Sequence, residues 1–231
     1  MGVNCTDTNI IKMKKLLLIF TFFLVTSLCF GQIEQLEIYK RLYTTADSLN
    51  KLGKTFSVDS LAIQQAKSLN KQHPAKYFEE AGQLFKEAKY NDAAFLYYLG
   101  ILRYRYYNSV NPKYQASGDG ALAASLQYVI GEPINLFLKT NIDNFVSVLK
   151  LASDYYSEND YSFYSKTKNP NKYDEVLKVF SNLIKDLETN RVKYEKEWNV
   201  ERNEMITNID KAIDEYNKMT PKEKAKLKDN N

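Results

Sequence analysis

Neither glycine nor proline interrupts residues 171–220, and the apolar side chains of this stretch recur every three or four positions. That spacing follows the 3.6-residue period of an α-helix and places the apolar side chains on one face. A half-buried strand would instead alternate apolar and polar residues at every second position. The stretch therefore requires a fold that accommodates long helices near the C-terminus.

This apolar pattern weakens near Asn190 and again near Glu201. A single helix over residues 172–218 would be roughly 70 Å long at 1.5 Å per residue. We favour two helices, at about residues 172–198 and 202–218, and one unbroken helix is the alternative. The lysine-rich residues 221–231 are predicted to be a flexible tail.

Helical periodicity also extends over the preceding part of the chain. The segment from about Ala93 to Val110 is apolar on nearly every face, which is typical of a central helix. Residues 158–170 are polar and rich in tyrosine, and we interpret them as a loop. We predict an all-α fold of stacked antiparallel helical hairpins, a single domain over residues 32–220. The further helices are predicted at about residues 34–52, 57–69, 74–88, 121–130, 134–139 and 143–152.

The N-terminus has the three-part pattern of a secretory signal peptide. Lys14 and Lys15 precede an apolar run, and Cys29 and Gly31 place small residues three and one positions before a cleavage site at Gln32. Residues 1–31 are therefore interpreted as an N-terminal extension and signal peptide, with translation starting at Met13 and a periplasmic or secreted product. Two alternatives are a lipoprotein modified at Cys29 and an uncleaved anchor, although the apolar core is shorter than the about 20 residues that span a membrane.

Composition excludes several classes of site. Both cysteines, Cys5 and Cys29, precede Gln32, so the processed chain would have no disulfide, thiolate nucleophile or cysteine-based zinc site. The 32 basic and 28 acidic residues give no reason to expect a nucleic-acid partner. His73 is the sole histidine, and its position before Pro74 favours a role at the start of the third helix. We predict no metal, no cofactor and no enzymatic activity.

Residues 77–101 resemble one tetratricopeptide repeat. Gly82, Phe85, Ala94 and Tyr98 have the small–aromatic–small–aromatic spacing of that repeat, and residues 89–92 fall at its interhelix turn. The resemblance implies two antiparallel helices that approach closely at the small residues. Residues 74–150 resemble a run shared by uncharacterised bacterial proteins, and the end of the signal segment is similar to those of Bacteroidota. Neither resemblance implies an activity.

Two groups of residues are candidate sites. The first consists of Arg103 and Arg105 with Tyr106, Tyr107 and Asp119, which would form either a pocket for a carboxylate or phosphate or an ion-paired core. Asp119 lies in a Ser-Gly-Asp-Gly run that either binds an anion or forms a turn whose Asp119 or Ser117 caps the next helix. The second group is formed by four tyrosines in or beside the 158–170 loop: Tyr155, Tyr156, Tyr161 and Tyr164.

The loop tyrosines would either bind a partner on the surface or fold down over the helices. With no catalytic constellation in the sequence, we predict an exported, non-catalytic protein-binding or scaffold domain with a tyrosine-rich surface. An immunity or inhibitor protein against an extracytoplasmic toxin is one alternative. A receptor for a small anion that uses Arg103 and Arg105 is another. Contact with a membrane is expected only through an uncleaved signal segment.

Overall fold

A computed structural model of the protein describes residues 30–52 and 57–228. Within those residues the chain forms helices and no strand, which confirms the all-α prediction. The stacking of hairpins stays a prediction, and residues 1–29 of the predicted signal segment 1–31 lie outside the described residues. The helices are α1 (Phe30–Lys51), α2 (Ser60–Leu69), α3 (Ala75–Lys86), α4 (Tyr90–Val110), α5 (Ala121–Leu138), α6 (Ile142–Glu158), α7 (Pro170–Thr189), α8 (Arg191–Lys218) and α9 (Pro221–Lys228).

The contacts divide the described chain into two compact units. The larger comprises residues 42–203, and the smaller comprises residues 30–41 together with 204–228. In the smaller unit, Lys40 Nζ lies 2.6 Å from the Asp210 carboxylate and the ammonium group of Lys224 lies over the Tyr216 ring. The single domain over residues 32–220 stays a prediction, because a division by contacts does not test it.

Helix α4 is the centre of the larger unit. It is buried on almost every face between Tyr90 and Tyr106, as its apolar pattern predicted, and it contacts α2, α3, α5, α6 and α7. Gly100 allows α3 to approach, because a Cβ atom there would lie 2.8 Å from the Cβ of Tyr77. The core of the unit is therefore built around one helix that has no solvent-facing side over most of its length.

Helix α5 corrects the prediction of two helices at 121–130 and 134–139, because it continues through both Gly131 and Pro133. Gly131 does not end a helix. The hydroxyl of Tyr97 occupies the place where a Cβ of residue 131 would be, and it donates to the Gln127 carbonyl at 3.3 Å. Pro133 removes one helical N–H donor without ending the helix. The glycine thus serves the packing of α4 against α5.

The C-terminal stretch forms two helices, but the predicted boundaries near residues 198–202 are wrong. The break is at Asn190, where the apolar pattern first weakens, and the Asn190 side-chain amide donates to Asp186 Oδ1 at 2.7 Å. Part of the predicted tail is helical, as α9. Its first turn is stabilised by a capping box, in which Glu223 Oε2 accepts from the Thr220 N–H and hydroxyl at 2.8 and 2.7 Å.

Candidate functional site

Among the described residues of the larger unit, Arg103 is the most deeply buried charged side chain, with no exposed surface. Its guanidinium donates to the Tyr173 hydroxyl and to the Asn159 carbonyl, both at 2.6 Å, and to Asn70 Oδ1 at 3.3 Å. It also lies 5.0 and 5.1 Å from the ring centres of Tyr156 and Tyr161. We call these six residues the Arg103 cluster.

Neutral oxygens and aromatic rings surround this cation, and no carboxylate forms an ion pair with Arg103 in the part of the chain that the structure describes. Burial raises the pKa of Tyr156 and Tyr161, and it raises the pKa of Tyr173 to about 12 against the opposing charge of Arg103. The phenols are therefore neutral at ordinary pH. They stabilise the cation as hydrogen-bond acceptors and by cation–π contact.

The 158–170 loop is folded down over the helices, with its backbone and its tyrosines in contact with them. Tyr161 donates its hydroxyl to the Gln72 carbonyl at 2.6 Å, and the Phe163 N–H donates to the Asn70 carbonyl at 2.8 Å. Asp160 Oδ1 accepts the N–H groups of Tyr161 and Lys166 at 2.9 and 2.8 Å. Of the two sequence-based alternatives for these tyrosines, the inward orientation is the one observed.

The remaining predicted site residues separate into buried and exposed positions. Tyr106 and Tyr155 are buried, and Tyr106 donates to the Ser165 carbonyl at 2.8 Å. Tyr164 is half-buried and donates to the Val110 carbonyl at 2.9 Å. Arg105 is exposed and lies over the Phe180 ring, so the structure does not bring it into the Arg103 cluster.

Asp119 lies in the π-helical turn Ala116–Gly120 and contacts His73. Its Oδ1 is 3.2 Å from His73 Nε2, while His73 Nδ1 accepts the Ala75 N–H at 3.3 Å. The prediction that Asp119 or Ser117 caps the next helix is wrong, because α5 begins after Gly120 without a side-chain cap. The prediction that His73 serves the start of the third helix is confirmed by its bond to Ala75.

Helix α5 has an exposed apolar face that sequence reasoning missed. Leu122, Tyr128 and Val129 are 44, 63 and 64% exposed, and the small residues Ala121, Ala124 and Ser125 are exposed between them. Together these six residues are the α5 face. The sequence feature that indicated this face is the absence of any charged residue from 120 to 131. By length and composition alone, the helix over Ala116–Leu138 is also apolar enough to cross a membrane, and most of it is not buried.

Two cavities lie elsewhere in the larger unit. An open groove of about 850 Å³ follows the bend between α7 and α8 and includes Val192 and Val200. A smaller one of about 250 Å³ is flanked by the ion pairs Arg191–Asp143 and Lys150–Glu188. The hydrogen bond from Arg191 holds the pKa of Asp143 below its usual value. Across the described residues, no group of three or more His, Cys, Asp or Glu side chains is arranged to hold a metal ion.

Comparison with known proteins identified no matching family model, no matching curated protein and no matching solved structure.

Proposed function

We propose that the protein is an exported, non-catalytic domain that binds a protein partner through the α5 face. The observation that carries the proposal is the exposure of Leu122, Tyr128 and Val129 on one uncharged helix face. Exposed apolar side chains that cluster on one surface mark interaction sites far more often than scattered ones do. Export rests on the signal-peptide pattern that ends before Gln32.

The tyrosine-rich surface proposed from sequence loses its main support, because Tyr106, Tyr156 and Tyr161 have no exposed surface. The α5 face takes its place as the contact surface. Complete burial of a Leu, Val or similar side chain contributes about 1.5–3 kcal/mol. With roughly half of each side chain available, burial of Leu122, Tyr128 and Val129 by a partner would contribute about 2–4.5 kcal/mol before entropic costs.

The small residues of the α5 face favour a helical partner. Ala121, Ala124 and Ser125 are exposed between the larger side chains, so a second helix could approach the backbone of α5 closely. An immunity or inhibitor protein is a narrower form of the same proposal. The receptor alternative is less favoured, because Arg103 is inaccessible and Arg105 lies apart from it.

The proposal is tested by affinity purification of the tagged chain, residues 32–231, from its native host, followed by mass spectrometry. The decisive variant is the double substitution Tyr128→Ser and Val129→Ser. Val192→Ser is the matched control, because Val192 is 78% exposed and lies on α8. We expect wild type and the control to recover the same partner and the double variant to lose it at an unchanged melting temperature. Recovery of that partner by the double variant would contradict binding through the α5 face.

A further inference from the structure

His73 joins three segments of the larger unit at one imidazole ring. The ring belongs to the link between α2 and α3, and it contacts Asp119 in the π-helical turn. It also lies 5.4, 5.3 and 5.7 Å from the ring centres of Tyr104, Tyr107 and Phe163, each nearly perpendicular to it. A change in the charge of this ring would therefore alter its contacts with α3, with the turn before α5 and with the 158–170 loop.

The two hydrogen bonds of His73 define its protonation state. Nδ1 accepts the Ala75 N–H, so Nδ1 carries no proton in this arrangement. Nε2 must then carry the proton and donate it to the Asp119 carboxylate. Both bonds are satisfied by a single neutral tautomer, with the proton on Nε2.

Protonation places these two bonds in conflict. A proton on Nδ1 would turn that nitrogen into a donor that faces another donor, the Ala75 N–H, at the start of a helix where positive charge is unfavourable. The same proton strengthens the contact with Asp119, because the imidazolium and the carboxylate attract each other. The charged ring can keep the Asp119 contact, but it cannot keep the bond to α3.

We propose that His73 is a proton-operated latch. In its neutral form it bridges the first N–H of α3 and Asp119, and in its charged form it keeps Asp119 and loses the bond to that N–H. The latch does not depend on whether the α5 face binds a partner.

The other groups that face the ring are one carboxylate, two phenols and one phenyl ring. Asp119 is the carboxylate in contact with it, and Phe163 on the loop side carries no charge. Tyr104 and Tyr107 face it from α4, and burial, followed by the charge of Asp119, raises the pKa of both phenols. A pH response of the Ala75 amide that shares the midpoint of the imidazole signals is therefore assigned to His73.

The test is a pH titration by NMR on ¹⁵N-labelled protein whose tag contains no histidine. Because the chain has one histidine, a long-range ¹H–¹⁵N spectrum contains a single set of imidazole signals. We expect the Nε2–H tautomer at the alkaline end, and an Ala75 amide signal that moves with the same midpoint as the ring. Predominance of the Nδ1–H tautomer, or an Ala75 amide that does not follow the ring, would overturn the proposal.

His73→Asn is the control variant, because its side-chain oxygen can accept the Ala75 N–H but does not titrate. We expect the pH-dependent movement of the Ala75 amide to be lost in this variant. A movement of the same size in His73→Asn would assign it to another group and overturn the latch. The wild-type spectra decide the matter even if the variant does not fold.

Discussion

The substitution Arg103→Met tests whether the Arg103 cluster is a structural core or an accessible binding site. Methionine fills much of the space of the arginine stem but removes all of its donors. The carbonyl of Asn159 and the hydroxyl of Tyr173 would each lose a 2.6 Å hydrogen bond from a charged donor. The perturbation is confined to one residue whose surface is completely buried.

A net contribution of about 1.5–3 kcal/mol for each hydrogen bond to a charged group gives about 3–6 kcal/mol for the two short bonds. The apolar surface of methionine and the avoided desolvation of a buried cation offset part of this loss. We therefore expect the free energy of unfolding to fall by about 3 kcal/mol. For a chain of this size, that corresponds to a decrease in melting temperature of about 6–12 °C.

Arg105→Met is the matched control, because Arg105 lies two residues away on the same helix and is exposed. Its contact with the Phe180 ring is a surface cation–π interaction of about 0.5–1 kcal/mol. Urea unfolding followed by circular dichroism at 222 nm would measure both variants. If the free energies of unfolding of Arg103→Met and Arg105→Met differed by less than about 1 kcal/mol, the structural interpretation of the cluster would be refuted.

Two further predictions concern particular contacts. Gly131→Ala places a methyl group on the Tyr97 hydroxyl and should lower the free energy of unfolding by about 2 kcal/mol. Gly82→Ala meets only the flexible end of the Ile130 side chain and should raise the free energy of unfolding by about 0.5–1 kcal/mol, because alanine is the better helix former. Equal thermal shifts of the two variants would contradict this. Burial favours a higher pKa for Asp160, but hydrogen bonds from Lys166 and other loop groups hold it below its ordinary value. The stability from this ionised carboxylate is present above pH 4 and is lost as the pH falls through the folded-state pKa. Asp160→Asn should therefore cost about 1–2 kcal/mol at pH 7 and progressively less as the pH falls below 4, measured by urea unfolding, and a difference independent of pH would be evidence against it.

The helical class and the central position of α4 could be predicted because both follow from local patterns. Period and composition identify a helix, and an apolar residue on every face of α4 left no side for solvent. The break at Asn190 was visible as a weakening of the pattern, but a second weakening near Glu201 competed with it. Periodicity alone does not rank two such positions, since the break depends on what each face packs against.

The candidate site could not be predicted to the same extent, because the roles of its residues depend on partners distant in sequence. Gly131 resembles a helix stop until Tyr97 of another helix occupies the space above it. Asp119 resembles a helix cap until His73 is placed beside it. The tyrosines of the 158–170 loop have the same composition whether they face solvent or Arg103, and only the tertiary fold distinguishes these orientations.

The central claim is that Tyr156 and Tyr161, beside and in the 158–170 loop, point inward, whereas the α5 face carries exposed aromatic and aliphatic side chains. Hydroxyl-radical footprinting with mass spectrometry measures this directly, residue by residue, on the folded chain. We predict strong modification of Tyr128, which is 63% exposed, and protection of Tyr156 and Tyr161, which have no exposed surface. Modification of Tyr156 and Tyr161 at the rate of Tyr128 would contradict the account.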